Sequence, residues 1–201
     1  MKKAVSVLIA VFMVLMLSAC GSNAPKEDMA GKTAPTVEAG SSGAKWNVTF
    51  RYYLDKAGYE AVCKVLDHEI TNSEKQKKQE QADQLKEIRK AFKKDPLKVI
   101  KGVSVAGPFN GWKPGTDVLT AAKQGEKFTV YTIKKEWEFS GDKEQYKMVF
   151  SLNASDDVMK QSFIWVPDPM ASELKDDGFG GKNSMLAIPG FKASDDKKDD
   201  K

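Results

Sequence analysis

Short stretches of apolar, aromatic and β-branched residues recur along the chain from residue 46 onward. The first, at residues 46–54, is dense in aromatic and β-branched residues, a composition typical of a strand. Five more stretches have the same character, at residues 99–106, 127–139, 145–152, 162–166 and 184–188. Turn residues separate them, so the pattern predicts an all-β fold built as a sandwich of short strands.

Residues 71–94 break this pattern, because they contain no Gly, Pro or Val and are rich in Lys, Glu and Gln. This composition predicts a helix. Ser73 and Gln76 have the spacing of a capping box at its start. Asp95-Pro96 ends it, because the residue before a proline is displaced from helical backbone angles. Only the second half carries an apolar stripe, so we expect that half to pack on the domain and the first half to project into water; the stripe consists of Leu85, Ile88 and Phe92, with Ala82 and Ala91 beside them.

Two points about this region stay open. The pattern at residues 59–66 predicts either a second strand or a strand that runs into the helix. The helix at about 73–94 could instead contact a protein partner or oligomerise, although its apolar stripe is too short for a coiled coil of several heptads.

The chain starts with a basic end, an apolar run and a cysteine. Residues 4–17 are almost entirely apolar but fall short of the ~20 residues needed to span a bilayer. Their layout fits a secretory signal over residues 1–19. The closing Leu17-Ser18-Ala19-Cys20 resembles the lipobox of bacterial lipoproteins, which implies cleavage before Cys20 and acylation of that residue. Several acyl chains would anchor the protein durably in the cell envelope membrane. Gly21 then favours the outer membrane if the cell has one; the alternative is an ordinary secretory signal that happens to end in Cys.

The two flanks of the predicted domain have little to bury. Residues 20–45 begin with Cys20, the expected site of lipidation. The rest of this segment is rich in Gly, Ala, Ser, Pro and Lys, which predicts a flexible tether. The tail at 191–201 is mostly Asp and Lys, which predicts disorder. If Cys20 is lipidated, Cys63 is the only thiol left, so no intramolecular disulfide can form and Cys63 is expected to pack in the core.

Charge and residue chemistry exclude several classes of function. The formal net charge is +4, and its 32 basic and 28 acidic residues are interspersed, so no nucleic-acid partner is expected. His68 is the only histidine and is expected at the surface, without the second His or clustered thiols of a metal site. No nucleophile elbow or phosphate loop occurs. We therefore expect a protein that is not an enzyme and that uses no metal or cofactor.

Four short segments carry the functional signal, in this order: Val103-Ser104-Val105-Ala106-Gly107-Pro108-Phe109-Asn110-Gly111-Trp112, then Tyr146-Lys147, then Trp165-Val166-Pro167-Asp168-Pro169, then Asn183-Ser184. Together they resemble the glycogen-binding module of AMP-activated protein kinase β subunits. They also resemble the immunoglobulin-like N-terminal modules of glycogen-branching and debranching enzymes. The resemblance implies an immunoglobulin-like β-sandwich over 46–190. The charged α-helix, at about 67–95, would then be an insertion.

The resemblance also implies a carbohydrate site. Trp112 and Trp165 would form a platform for sugar rings, with Lys147 and Asn183 as partners of the hydroxyl groups and Phe179 packing beside them. The chemistry agrees, because flat indoles stack on the apolar faces of sugars and tolerate half-exposed positions. Lysine only donates hydrogen bonds, whereas asparagine both donates and accepts them.

Each of these residues has a structural alternative. Trp112 could cap the core at a turn, Trp165 could be a buried strand residue, and Lys147 could be a solvated charge. The long loop at 151–161 could move Trp165 away from Trp112, and the glycine-rich segment 176–181 could leave Phe179 unsupported. Three other residues are expected to be structural: Phe109 in the core, Asn110 in turn hydrogen bonds and Trp137 in strand packing.

Two functions follow as expectations. The first is a non-catalytic, membrane-anchored lipoprotein that binds an α-glucan-type polysaccharide outside the cytoplasm. The second is a structural or interaction protein of the envelope, with the sandwich as scaffold and the helix as the contact for a protein partner.

Overall fold

The structure, a computed structural model, describes residues 32–42, 45–124 and 128–191. The predicted signal sequence, Cys20, the first part of the tether and the tail from residue 192 lie outside these described residues. Within the described ranges, no helix combines the length and hydropathy needed to cross a bilayer.

Two antiparallel sheets contain most of the regular secondary structure of the described residues. The first has the strand order β1-β2-β6-β5 and consists of β1 (Thr36–Ala39), β2 (Lys45–Leu54), β6 (Phe128–Glu138) and β5 (Thr120–Gln124). The second has the order β4-β3-β7-β10-β9, with β8 also paired to β7. Its strands are β4 (Asp117–Val118), β3 (Ile100–Ala106), β7 (Lys143–Leu152), β8 (Ser162–Val166), β9 (Leu174–Asp176) and β10 (Lys182–Ala187). This arrangement is compatible with the predicted β-sandwich.

A core of large side chains lies between the sheets. Its fully buried members include Phe50, Tyr52, Tyr146, Phe150 and Ile164. Aromatic rings from different strands meet there edge to face or tilted, the arrangements that ring quadrupoles favour.

Two residues that were expected to be structural pack in or against the same core, Trp137 as a buried member and Phe109 as a partly buried one. Trp137 is buried and meets Phe50 edge-on at 5.5 Å between ring centroids. Phe109 stacks on Phe50 at 5.9 Å and meets Trp137 at 5.4 Å. Both expectations are confirmed.

Three helices connect β2 to β3: α1 (Lys56–Lys75), α2 (Gln79–Lys94) and the single turn α3 (Pro96–Val99). The prediction of a strand at 59–66 is wrong, because α1 begins directly after β2. Asp55 caps it by accepting a hydrogen bond from the Gly58 amide at 2.9 Å. Gly58 is required there, since a Cβ atom at this position would lie 1.9 Å from the Tyr53 carbonyl oxygen.

The predicted capping box at Ser73 and Gln76 is also wrong. Ser73 is a buried residue of the last turn of α1. The helical backbone is interrupted after this turn, where Lys77 has a φ of +58°. Helical structure therefore occupies residues 56–99, in three pieces, rather than one helix over 71–94 within a segment of about 67–95.

The packing of the helices follows their apolar positions. In α2 the predicted face is buried through Ala82, Leu85, Ile88 and Phe92, and the helix ends before Asp95-Pro96 as expected. In α1 the buried residues include Val62, Cys63 and Leu66, so Cys63 packs in the core as predicted. Residues 74–81 are exposed, in agreement with the absence of an apolar stripe there.

The domain extends beyond both of its predicted ends. Residues assigned to the tether form β1, which pairs with β2 through Thr36 to Thr49 and Ala39 to Trp46. At the other end, Phe191 stacks on Trp46 with ring centroids 5.8 Å apart, so it belongs to the packed domain rather than to the tail. The tether prediction failed here because a short edge strand needs partners for its backbone rather than a large apolar surface of its own.

Candidate functional site

The site lies on β7, where β8 ends and β10 begins. β8 pairs with the second half of β7, from Met148 to Leu152, and β10 pairs with the first half, from Lys143 to Tyr146. Asp168 joins the two: its amide donates to the Ser184 hydroxyl at 2.7 Å and its carboxylate accepts from the Tyr146 hydroxyl at 2.8 Å. Burial raises the pKa of the Asp168 carboxyl to about 6, although hydrogen bonds from the Met170 amide and Tyr146 oppose this rise.

Trp165 faces away from the core because side chains alternate along β8. Its neighbours Ile164 and Val166 are buried, whereas Trp165 itself is half-buried. Its alternative assignment as a buried strand residue is therefore wrong.

Trp112 reaches the same surface from the turn after β3. The side chain of Asn110 holds this turn, donating to the Val105 carbonyl at 2.9 Å and accepting from the Gly107 amide at 3.0 Å. This is the predicted turn role of Asn110. Gly111 and Trp112 then adopt left-handed backbone angles, with φ of +65° and +56°.

The two indoles meet with ring centroids 6.3 Å apart and an interplanar angle of 51°. The long loop before β8 does not separate them, because β8 keeps a regular register with β7 from Leu152–Ser162 to Met148–Val166. The extra residues, 153–161, therefore leave from the end of β8 that is remote from Asp168. Trp112 is half-buried, so each indole leaves part of its surface to solvent.

The left-handed backbone of Trp112 is unfavourable for any residue with a Cβ atom, at a cost of about 1 kcal/mol. Strained residues of this kind are found preferentially at functional sites. Here the strain holds an indole against a second one rather than in the core.

Lys147 lines the same cavity as the two indoles. Its neighbours Tyr146 and Met148 point into the core, so the alternation along β7 turns Lys147 outward, yet it is only 8% exposed. Its ammonium group donates to the carboxylate of Asp177 at 2.5 Å, in a pair whose side chains are each 10% exposed. The alternative that Lys147 is a solvated charge is wrong.

Asp177 also organises its own loop. Its carboxylate accepts hydrogen bonds from the amides of Phe179 at 2.8 Å and Gly181 at 2.9 Å. Burial alone would raise the pKa of Asp177, but the hydrogen bonds from Lys147 and these two amides outweigh it and lower the pKa to about 2.

The two remaining predicted residues line the same cavity as Lys147. Asn183, at the start of β10, is 7% exposed and donates from Nδ2 to Oε1 of Gln145 at 2.6 Å. Phe179 sits on the loop held by Asp177, and its ring is 91% exposed. The backbone of this loop is thus supported by hydrogen bonds, whereas the phenyl ring is left to solvent.

All five predicted residues line one cavity of about 760 Å³, together with Asp168, Asp177 and Leu174. Its volume falls within the range of roughly 300–1,000 Å³ found for ligand sites in proteins. Three lysines and three carboxylates balance each other in its lining: Lys64, Lys147 and Lys182 against Glu69, Asp168 and Asp177. The cavity therefore offers aromatic surface and polar side chains without a net charge of its own at neutral pH.

One wall of the cavity was missed from the sequence. It is formed by residues of α1, namely Ala61, Lys64, Val65, His68 and Glu69. Their spacing is that of a single helical face, which could have been detected had residues 59–66 been assigned to a helix. His68 is exposed at the surface, as expected, but on this wall.

The described residues include no group of three or more His, Cys, Asp or Glu side chains that could hold a metal ion. Comparison with protein-family models, with curated proteins and with solved structures finds no match for this chain.

Proposed function

We propose that this chain is a non-catalytic lipoprotein, anchored in the cell envelope through acylated Cys20, that binds an α-glucan-type polysaccharide. Its domain would be an immunoglobulin-like sandwich of the glycogen-binding type, with the helices α1 to α3 as an insertion. The observation that carries the proposal is the pair of half-buried indoles, Trp112 and Trp165, with centroids 6.3 Å apart in the cavity that Lys147 also lines.

This arrangement suits a neutral sugar chain. Indole faces stack on the C–H faces of glucose, and a tilted pair offers two stacking surfaces to successive units of a curved chain. Asp177 takes one of the three hydrogen-bond donors of Lys147 and neutralises its charge, which leaves two for sugar hydroxyls. An acidic polysaccharide would find no excess of positive charge in the lining.

Retention on insoluble starch tests the proposal. The full-length chain, kept soluble in a detergent without a sugar head group, should be retained, whereas the double variant Trp112→Ala/Trp165→Ala should pass through. Phe163→Ala is the matched control, because Phe163 is an exposed aromatic residue of the same strand that lies outside the cavity lining. Equal recovery of wild type and double variant in the flow-through would refute the proposal.

The alternative function, an envelope protein that contacts a partner through the helix at about 73–94, has less support. The apolar residues Leu85, Ile88 and Phe92 of α2 are buried within the chain, so a partner would meet the charged face of this helix. Exposed charges by themselves contribute little binding energy.

A further inference from the structure

The α1 helix lines the same cavity as the tryptophan pair, so helix and sheet each supply a wall of the site. One wall is the outer surface of the second sheet, with Trp112, Trp165 and Lys147. The other is the α1 face formed by Ala61, Lys64, Val65, His68 and Glu69. The same helix buries Val62 and Leu66 in the core, which fixes its position against the sheets.

The loop that carries Phe179 lies next to both walls. On one side, Asp177 pairs with Lys147 of β7. On the other, the His68 imidazole lies 3.9 Å from the position that a Cβ atom at Gly180 would take. Asn72, one turn further along α1, contacts the imidazole Nε2 through its Nδ2 at 2.8 Å. The loop thus contributes to the lining of the cavity between α1 and β7.

We infer that α1 is part of the binding site and that the cavity takes a single, unbranched glucan segment between Lys64 and His68 on one side and the two tryptophans on the other. This inference rests on the proposed function. A flat aromatic surface can bind a packed polymer from one side only. A cleft of about 760 Å³ with polar side chains on both walls instead surrounds one chain at a time, whether that chain is free in solution or projects from insoluble starch.

Two consequences follow, and the second separates a cleft from a platform. A soluble, linear α-1,4-linked glucose heptamer should bind at one molecule per chain and should displace the protein from insoluble starch. In addition, Lys64 and His68 should contribute to its affinity, at roughly fivefold for each lost hydrogen bond.

The experiment is a calorimetric titration of the full-length chain with the heptamer, in a detergent without a sugar head group. The double variant Lys64→Ala/His68→Ala should bind about 20-fold more weakly than wild type. Glu60→Ala/Lys75→Ala is the matched control, because both residues are exposed on the same helix but outside the cavity lining, and its affinity should stay within twofold. Thermal unfolding of each variant checks that the fold is retained.

The outcomes distinguish this inference from the proposed function. If Trp112→Ala/Trp165→Ala abolishes binding while Lys64→Ala/His68→Ala binds like wild type, the platform stands and the second wall is refuted. If the heptamer cannot displace the retained protein from starch, the second wall is likewise refuted while the platform stands. If wild type binds neither starch nor heptamer, both proposals fail.

Discussion

At the scale of single residues, the strained backbone of Trp112 makes a stability measurement informative. Ala and Gly at this position both remove the indole, but only Gly removes the cost of the left-handed angle. We expect Trp112→Gly to be more stable than Trp112→Ala in urea denaturation, by less than about 1 kcal/mol, because the entropy that Gly adds to the unfolded chain offsets part of the relieved cost. The neighbouring Lys113 is the control, because it is exposed and its φ is not positive. There the Gly variant should be no more stable than the Ala variant, since Gly adds entropy to the unfolded chain. The same order at both positions would contradict the assigned strain.

The order of the sequence motifs predicted which residues form the site, but not how buried or exposed each side chain is. The alternation along β7 and β8 is readable from the sequence, and it places Lys147 and Trp165 on one face. The burial of Lys147 is not readable in this way, because it depends on Asp177, 30 residues further along the chain. The exposure of Phe179 likewise depends on how its loop is held.

At the scale of elements, the loop around Asp177 should respond to acid. The folded-state pKa of Asp177 is about 2, below its ordinary value of 3.8, so its ionised form stabilises the folded state. This contribution is fully present above pH ~4 and is lost as the pH falls toward 2. We therefore expect wild type to lose more unfolding free energy than Asp177→Asn between pH ~4 and ~2, as measured by urea denaturation at each pH. Lys147→Met should reduce the same loss, because it removes one of the hydrogen bonds that lower this pKa. Parallel pH curves for wild type and Asp177→Asn would contradict the assignment.

Elements differ in how far sequence alone determines them. The strands and α2 each have an unambiguous pattern. The strands are dense in β-branched and aromatic residues, and α2 is a charged segment with a single apolar helical face. The segment 59–66 is short, largely apolar and compatible with either a strand or a helix, and tertiary contacts decide between the two. Asp55 caps the Gly58 amide, and the Tyr52 hydroxyl donates to the Gly58 carbonyl at 2.7 Å. Missing this helix also meant missing the second wall of the site.

At the scale of the whole molecule, the helices and the sheets should unfold together. The described residues belong to one compact unit, and its core combines α1 and α2 residues with strand residues such as Tyr52 and Ile164. Phe92 of α2 is fully buried and stacks on Tyr59 of α1 at 5.2 Å. We expect Phe92→Ala to destabilise the protein by about 3–5 kcal/mol, because it leaves a cavity at this junction.

Two probes test whether this loss is shared by the whole unit. The four tryptophans all lie in strands or in the turn after β3, so their fluorescence reports the sheets, whereas far-ultraviolet circular dichroism reports the helices. Both transitions should shift to the same lower denaturant concentration in Phe92→Ala, since a cooperative unit gives coincident transitions. The exposed Lys93→Ala in the same helix should change stability by less than about 0.5 kcal/mol. A helical transition that precedes the fluorescence transition would mean that the helices are an appendage, and an appendage that melts separately could not hold a fixed second wall against the tryptophans.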